Sequence, residues 1–395
     1  MKKLRIAFYT DDYPPITAGT TSYVMEMRKE LERRGHEVFI ITAGDSKTAE
    51  FAKNDPHVIV LRGPKFIDRK HTVAVDVVTL LKALNGKKFD IVHSHSPFLM
   101  GLFAVVASKV TGSKLVSTFH TYLFHKKALS KYIGYTVPFL SSNRVLLKIS
   151  KFFMVGYLRV YYFLSDRVVA PSRFVRRLLR RNGIANTEVV ENGIKVMGNV
   201  NISKREARKH LNLSLKDKFL LYLGRVDDEK NIDFLLESAK KLGERGFKII
   251  IAGNGNKLKH YIKMSEKMKL TNVFFPGFVK DKEKKYYYRA VDVFCNPSTF
   301  DTAGIADLEA MSFNLPILVP KTGAQSEFVK AGPSGETFEI TNVADFVNKA
   351  VKIAENRRKY NPREVARKYS IIKSADKLIS LYKHLLSNNA IKSKV

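Results

Sequence analysis

The sequence predicts an α/β protein with two doubly wound, Rossmann-like domains. Short apolar runs typical of buried strands alternate with helical stretches, which indicates parallel sheets. Small-residue loops join some of these strands to the following helix, as at Ile16 to Thr21 and Thr302 to Gly304. With 395 residues, the chain is long enough for two domains that each have a hydrophobic core.

Composition excludes several classes of protein. Hydrophobic residues make up 45% of the chain, but no uninterrupted apolar run approaches the roughly 20 residues of a transmembrane helix. Too few apolar residues precede Asp11 for a signal peptide. The single cysteine, Cys295, excludes a disulfide framework and a cysteine-based metal cluster. A cytoplasmic location is therefore expected.

The net charge of +32 comes from 69 Lys and Arg against 37 Asp and Glu. Such a charge suits binding to nucleic acid or to an anionic membrane surface. A lysine-rich surface that only keeps the protein in solution is the alternative. Basic residues are concentrated between Lys126 and Asn182, where Asp166 is the only acidic residue.

The first domain is predicted from its strands. They are expected at Leu4 to Tyr9, Val38 to Thr42, Val58 to Leu61, Ile91 to Ser94 and Leu115 to Thr118. Histidines His93, His95 and His120 stand at the ends of two of these strands. Ligands of open α/β sheets bind at the carboxyl ends of the strands, so we expect these histidines to face a ligand. A core or loop role explains an isolated strand-end histidine equally well.

The basic segment also predicts an amphipathic helix. At 100° per residue, four cations fall within about 80° of one another. The residues expected to contact a membrane are these cations and neighbouring aromatic residues: Arg144, Lys148, Lys151, Arg159, Phe152, Phe153, Tyr157, Tyr161 and Phe163. Such a helix suits a membrane interface. The alternative is a core helix of the first domain with a narrow solvated stripe.

The second domain is expected to begin after a polar connection, Lys195 to Ser203. We therefore predict domains at 1–197 and 198–372, with a last helix at 373–395 that crosses back onto the first domain. A strand ending at Leu223 precedes Arg225 and Lys230, which lie five residues apart. Two cations after a strand suit a phosphate group. A surface turn with two cations is, however, common.

Two carboxylates bracket a helix start in the second domain. The apolar run Val291 to Cys295 predicts a strand, and later apolar spacing predicts a helix from near Ala303. Free amides at a helix N-terminus favour an anion such as a diphosphate. Asp301 and Glu309 on either side can accept hydrogen bonds from the hydroxyls of a sugar nucleotide. Alternatively, Asp301 only caps the helix and Glu309 lies on a solvated face.

These motifs resemble those of the retaining glycosyltransferases of family GT4, which have the GT-B fold of two Rossmann-like domains facing a central cleft. The resemblance covers nearly the whole chain. It implies that Asp301 holds hydroxyls of the donor sugar, that the amides of Gly304 and Ile305 hold the diphosphate, and that Glu309 holds the ribose. Asp301 departs from the family pattern, where Glu is usual, and this leaves the identity of the donor sugar open.

The resemblance assigns roles to further residues. Arg225 and Lys230 would neutralise the leaving diphosphate, and His120 would contact the donor sugar near the reacting centre. His93 and His95 match a motif that is more often structural. The remaining donor contacts implied by the resemblance are Gly19, Gly253, Val279 and Ala303.

The implied reaction is transfer of a hexose from a UDP- or GDP-sugar with retention of anomeric configuration. No Asp-x-Asp occurs in the chain, and we expect neither an essential metal nor a cofactor. The basic, aromatic segment after His120 resembles membrane-associated members that glycosylate diacylglycerol or phosphatidylinositol. We therefore predict a lipid acceptor and a peripheral location on the inner face of the cell membrane, with nucleic acid not favoured as a partner. The alternatives are a soluble sugar or polysaccharide acceptor, or a non-catalytic membrane- or nucleic-acid-binding protein on the same fold.

Overall fold

The computed structural model describes residues 3–16, 19–65, 72–122, 124, 144–197 and 201–392, without the side chains of residues 83, 144 and 388–392. The chain forms two compact units, Met1–Gly193 together with Ile371–Val395, and Ile194–Ser370. Their boundaries lie four and two residues before those expected from the sequence. The C-terminal helix, Ile371–Lys392, packs with the first unit. None of the helices in the described part of the chain combines the length and the hydropathy needed to cross a bilayer.

The first unit is a seven-stranded parallel sheet in the order β3-β2-β1-β4-β5-β6-β7. Its strands are β1 Arg5–Thr10, β2 Glu37–Ala43, β3 Val58–Leu61, β4 Ile91–Ser94, β5 Lys114–Thr118, β6 Arg167–Ala170 and β7 Thr187–Val189. Within its described residues, the helices before the C-terminal one are α1 Gly19–Arg33, α2 Ser46–Ala52, α3 Val77–Leu84, α4 Leu99–Thr111, α5 Arg144–Phe163 and α6 Arg173–Arg181. The chain leaves β1 toward one edge and returns at β4 to build the other half.

Helices cover both faces of this sheet, and β1 shows how. Ile6 and Phe8 pack in a core with α1 and the C-terminal helix, whereas Ala7 and Tyr9 pack in a core with α3 and α4. Alternate residues of a strand point to opposite faces, so a strand buried on both faces must be apolar throughout. This accounts for the uninterrupted apolar runs in the sequence.

The second unit is a six-stranded parallel sheet in the order β10-β9-β8-β11-β12-β13. Its strands are β8 Lys218–Leu223, β9 Phe247–Ala252, β10 Val273–Gly277, β11 Val293–Cys295, β12 Ile317–Pro320 and β13 Gly335–Phe338. Its helices are α7 Lys204–His210, α8 Ile232–Glu244, α9 Leu258–Lys267, α10 Asp281–Ala290, α11 Ile305–Ser312, α12 Ser326–Lys330, α13 Val343–Glu355 and α14 Pro362–Lys368. Strand order reverses between β8 and β11, the position where ligands bind to open α/β sheets.

Two elements beside that position start later than expected. β11 starts at Val293 rather than Val291; Asp292 just before it accepts the backbone N–H of Phe219 with its carboxylate at 2.8 Å. α11 starts at Ile305 rather than near Ala303, because Gly304 has a φ of 61°. This left-handed conformation cannot continue a right-handed helix.

Candidate active site

Two cations follow β8. Arg225 donates a hydrogen bond from Nη1 to Asp227 at 2.8 Å and another from Nη2 to the carboxylate of Glu229. Desolvation by itself would lower the pKa of the Arg225 guanidinium, but the negative charges of Glu229 and Asp227 outweigh this effect and raise the pKa. Lys230 ends the 3-10 turn Asp228–Lys230. Arg225 is therefore a permanent cation that is already paired with acidic residues of its own loop.

Lys230 contacts Asp301, which follows β11. The Lys230 ammonium donates to Asp301 Oδ1, while Asn296 Nδ2 and Gln325 Nε2 donate to Asp301 Oδ2 at 2.6 and 3.3 Å. Burial alone would raise the pKa of Asp301, but the charge and hydrogen bond of Lys230 lower it. The structure thus joins two predicted site residues 71 positions apart in an ion pair, with an ionised Asp301 at neutral pH.

Gly304 forms the turn between Asp301 and α11. In addition to its positive φ, an added Cβ would lie 2.8 Å from the ring of Phe328 and 3.0 Å from Asp307 Oδ2. Only glycine fits this turn without strain. Ala303 is buried beside it, and Ile305 opens the helix with the free amides expected there.

Gly253 follows β9 and also requires glycine. Its φ is 137°, and an added Cβ would lie 1.7 Å from the backbone oxygen of Gly224. Its own N–H donates to the oxygen of Gly277 at 2.7 Å, which ties together the ends of β8, β9 and β10. Val279 is buried just beyond β10. At both positions the structure shows backbone packing at strand ends, and the predicted contacts with a donor remain predictions.

Glu309 lies on α11 and is held from α10. Tyr288 donates its hydroxyl to Glu309 Oε2 at 3.0 Å, and Lys284 Nζ lies 3.5 Å from the same oxygen. Burial would lower the pKa of Lys284, but Glu309 raises it. About a third of the Glu309 side chain is exposed. One carboxylate oxygen is thus committed to the protein.

In the first unit, three histidines form a buried cluster at the ends of β4 and β5. His93 is hydrogen-bonded through Nδ1 to the hydroxyl of Tyr382 at 2.5 Å and through Nε2 to Thr118 at 2.7 Å. His95 Nδ1 lies 3.0 Å from His120 Nε2, and the three rings stack in sequence. These contacts give His93 a structural role, since both of its nitrogens are satisfied inside the core.

The histidines are neutral at physiological pH. Burial lowers the pKa of His93 and that of His120 to about 3, and lowers that of His95 well below its usual range. His120 Nδ1 lies 3.4 Å from Asn192 Nδ2, and Tyr23 packs against the ring with centroids 5.4 Å apart. His120 can therefore give or accept a hydrogen bond, but it cannot supply a positive charge.

Gly19 begins α1 in the same unit. An added Cβ would have no described atom within 4 Å. Packing within the described residues therefore does not require glycine at this position, and its predicted role toward the donor remains a prediction.

Helix α5 differs from its prediction on one face. Tyr161 was expected at a membrane, but it is buried and donates its hydroxyl to Ser94 at 2.7 Å. Tyr157 was expected there too, but it is half-buried and donates its hydroxyl to the backbone oxygen of Pro97. Both predictions are wrong because Leu158, Tyr161 and Tyr162 form the face that packs against the sheet. Phe152 and Phe153 lie on the opposite face and are 77% and 68% exposed.

The outer face of α5 is a stripe of exposed apolar side chains: Val145, Ile149, Phe152, Phe153, Val160 and Phe163. Lys148 and Arg159 are exposed beside it and Lys151 is half-buried, while the side chain of Arg144 lies outside the described part. Arg159 Nε also donates to the backbone oxygen of Asn182 at 3.0 Å. The helix is thus a core element on one side and an apolar surface with adjacent cations on the other.

Some residues of the site carried no recognisable sequence signal. Asn296 and Gln325 were not among the predicted site residues, yet both bind Asp301. Tyr288 and Lys284 lie in a run of lysines and tyrosines without a motif. A polar residue directly after a buried strand, such as Asn296, was the one available hint.

In the second unit, two cations that are paired with carboxylates, the start of a helix, and Asp301 and Glu309 lie near the position where the strand order reverses. Similar folds occur in solved glycosyltransferase structures. Anabaena HepE, in complex with UDP and glucose, matches with a TM-score of 0.71 and 16% identity, covering 96% of this chain and 100% of that chain. Sucrose-phosphate synthase from Thermosynechococcus elongatus matches with a TM-score of 0.74 and 18% identity, covering 98% and 100%. The protein has the GT-B fold.

Two family models match the chain and identify its family. The model described as Glycosyltransferase Family 4 matches residues 17–196, and the model described as Glycosyl transferases group 1 matches residues 203–371. The chain belongs to glycosyltransferase family 4 and is a hexosyltransferase.

Two relatives are named alpha-monoglucosyldiacylglycerol synthase. The one from Acholeplasma laidlawii is 27% identical over 89% of each chain. The one from Streptococcus pneumoniae is 27% identical over 80% of this chain and 70% of the relative. A GDP-mannose-dependent alpha-mannosyltransferase from Corynebacterium glutamicum is 22% identical over 87% of this chain and 78% of its own length.

Proposed function

We propose that this hexosyltransferase moves a hexose from a UDP- or GDP-sugar to a membrane lipid of the diacylglycerol type, with retention of anomeric configuration. The observation that carries the donor half is the Lys230 and Asp301 ion pair beside the start of α11. It places a cation suited to a phosphate next to a carboxylate suited to sugar hydroxyls. The acceptor half is supported by the names of the relatives and by the outer face of α5.

In this reaction the bond between the anomeric carbon and the diphosphate oxygen breaks, and the electron pair leaves with the diphosphate. Arg225, Lys230 and the first amides of α11 stabilise that developing charge, which is where an enzyme gains most. When a donor binds, its sugar hydroxyls replace Lys230 on Asp301, and Lys230 turns to the diphosphate. The acceptor hydroxyl attacks from the same face and passes its proton to the leaving phosphate.

The remaining contacts follow the family resemblance. His120, a neutral imidazole, contacts the donor sugar by hydrogen bonding. Glu309 holds the ribose with the carboxylate oxygen that Tyr288 leaves available. Neither a metal nor a cofactor is required in this mechanism, because cations of the chain neutralise the diphosphate.

For the acceptor, we place the protein on the inner face of the cell membrane as a peripheral protein. The outer face of α5 offers phenylalanine rings for insertion, and the adjacent cations offer attraction to anionic lipid. A membrane partner explains an exposed apolar stripe, which would otherwise be unfavourable in water.

The decisive experiment supplies the same donor with diacylglycerol in anionic liposomes and, separately, with soluble sugars. Transfer to the lipid is expected. Transfer to soluble sugars alone would reject the lipid acceptor and leave the donor half intact.

A set of variants tests the membrane contact. Replacing Arg144, Lys148, Lys151 and Arg159 with Gln should remove most salt-sensitive binding to anionic liposomes, because each cation contributes up to about 1 kcal/mol near such a surface. Adding Phe152→Ser and Phe153→Ser should remove the salt-resistant remainder. The matched control replaces four exposed lysines of the second unit with Gln: Lys240, Lys241, Lys259 and Lys263. Equal sedimentation of the α5 and control variants would reject α5 as the contact.

A further inference from the structure

A buried carboxyl, Asp307, lies behind the donor site and has no part in the mechanism above. It is in the first turn of α11 and is fully buried. Its Oδ2 accepts a hydrogen bond from Asn296 Nδ2 at 2.8 Å, while its Oδ1 has no hydrogen-bond partner among the described residues. A buried carboxyl with half of its hydrogen-bonding capacity unused is costly to maintain, so its position calls for a role.

Asn296 connects this carboxyl to Asp301. Its Nδ2 group has two hydrogens and donates one to Asp301 at 2.6 Å and one to Asp307 at 2.8 Å. The orientation of the amide is determined by Ser298, whose backbone N–H donates to Asn296 Oδ1 at 3.3 Å. The amide therefore bridges two carboxyl groups and cannot turn without losing all three contacts.

The charges around Asp307 keep it neutral. Burial and, next, the negative charge of Asp301 raise the pKa of Asp307 well above its usual range, although Asn296 and Lys230 act in the opposite direction. Cys295, on the adjacent strand, is also buried, and burial raises its pKa well above its usual value. Lys230 is committed to Asp301. At neutral pH, Asp307 thus offers Asn296 a carbonyl oxygen without adding a second negative charge beside Asp301.

We propose that Asp307 is a positioning residue for sugar recognition: it holds Asn296, and Asn296 holds Asp301 in the orientation that receives the hydroxyls of the donor sugar. This inference rests on the proposed role of Asp301. Nucleotide recognition through Glu309 does not depend on it.

The test compares binding of UDP with binding of UDP-glucose by calorimetry. Asp307→Leu keeps the branched shape but replaces both carboxyl oxygens with methyl groups, which removes the acceptor and leaves one N–H of Asn296 unpaired. Affinity for UDP-glucose should fall about tenfold, the effect of one unsatisfied buried donor, while affinity for UDP should change by less than about twofold. Asp307→Asn reproduces the shape of a neutral carboxyl and should restore the parent ratio of the two affinities.

Equal losses for UDP and UDP-glucose in Asp307→Leu would show a merely structural role and overturn the proposal, as would an unchanged ratio. If Asp307→Leu does not fold, Asn296→Ala should likewise lower the affinity for UDP-glucose more than the affinity for UDP. Asp307→Asn also tests the proposal. If this variant loses the parent ratio of the two affinities, a charged carboxylate is needed and the proposed neutral role is wrong. If the parent protein binds neither UDP-glucose nor GDP-mannose, the proposed function itself fails, and the inference fails with it. If the parent protein prefers guanine nucleotides, GDP and GDP-mannose replace the uracil pair.

Discussion

Each unit has a cluster of polar side chains at the ends of its strands. The cluster of the second unit is charged, whereas that of the first unit is neutral. In the second unit, Asp301 pairs with Lys230, and Arg225 pairs with Asp227 and Glu229. In the first unit, the histidine cluster is bonded to neutral groups, such as the hydroxyls of Tyr382 and Thr118. In the second unit, opposite charges outweigh the effect of burial on Asp301 and Arg225. In the first unit, burial and, next, the neighbouring histidines lower the pKa of His93 and of His95.

The difference suggests a division of labour. Paired charges can be exchanged for those of a ligand at little cost, because each group stays charged and finds a new partner. A neutral imidazole cluster has no charge to exchange and keeps its geometry through hydrogen bonds and stacking. Variants in the charged cluster and in the neutral cluster can test this difference.

The largest expected effect is on turnover. Arg225→Ala should lower kcat a hundredfold or more, because a cation aimed at developing charge is typically worth about 3 kcal/mol. The control is Lys257→Ala, which removes a cation 3.4 Å from Asp228 in the same unit. Circular dichroism confirms folding of both variants. Near-normal turnover of Arg225→Ala would separate this cation from the chemistry.

The three buried histidines should make the free energy of unfolding depend on pH. Histidines titrate near 6.5 in the unfolded chain, whereas in the fold the pKa of His93 and that of His120 is about 3 and that of His95 lies well below its usual range. The unfolded chain therefore binds more protons below pH 6.5. Stability is therefore complete above pH 6.5 and decreases as the pH falls, by about 1.4 kcal/mol per pH unit for each histidine that stays neutral.

Urea unfolding between pH 7 and 5 measures this slope. His120→Asn should reduce it by about one histidine's share. The exposed His260, replaced in the same way, is the matched control. A slope that does not differ between His120→Asn and the parent protein would mean that His120 is protonated in the fold.

A smaller effect is expected at the ribose end of the charged cluster. Glu309→Gln keeps the shape but removes the charged acceptor, and it should weaken nucleotide binding about tenfold, since hydrogen bonds to charged groups are the stronger ones. Calorimetry with UDP and GDP measures the affinity. Glu237→Gln, on the exposed side of α8, controls for the change in net charge. Unchanged affinity would remove Glu309 from the binding site.

No effect is expected from removing metal ions. Arg225 and Lys230 supply the positive charge for the diphosphate, so transfer should persist in excess chelator. Loss of activity that only added magnesium or manganese restores would contradict a metal-free mechanism and would assign part of that charge to an ion.

The sequence by itself determined the frame of the molecule. The apolar runs predict β3 and β4 with the bounds that the structure shows, because strands of a parallel sheet are built from local apolar stretches. The motifs around Arg225, Lys230, Asp301 and Glu309, together with others along nearly the whole chain, resemble those of family GT4, and the family models agree. Such features depend on neighbouring residues and on motifs of short span.

Tertiary structure alone decided how the site residues are held. The amide of Asn296 between Asp301 and Asp307, and the ion pair of Asp301 with Lys230, join strand ends that are distant in sequence. The inward orientation of Tyr161 depends on which face of α5 meets the sheet, and helical periodicity cannot say which of two apolar faces is buried. Long-range packing sets these contacts, because a side chain's partner and its pKa depend on what the fold brings beside it.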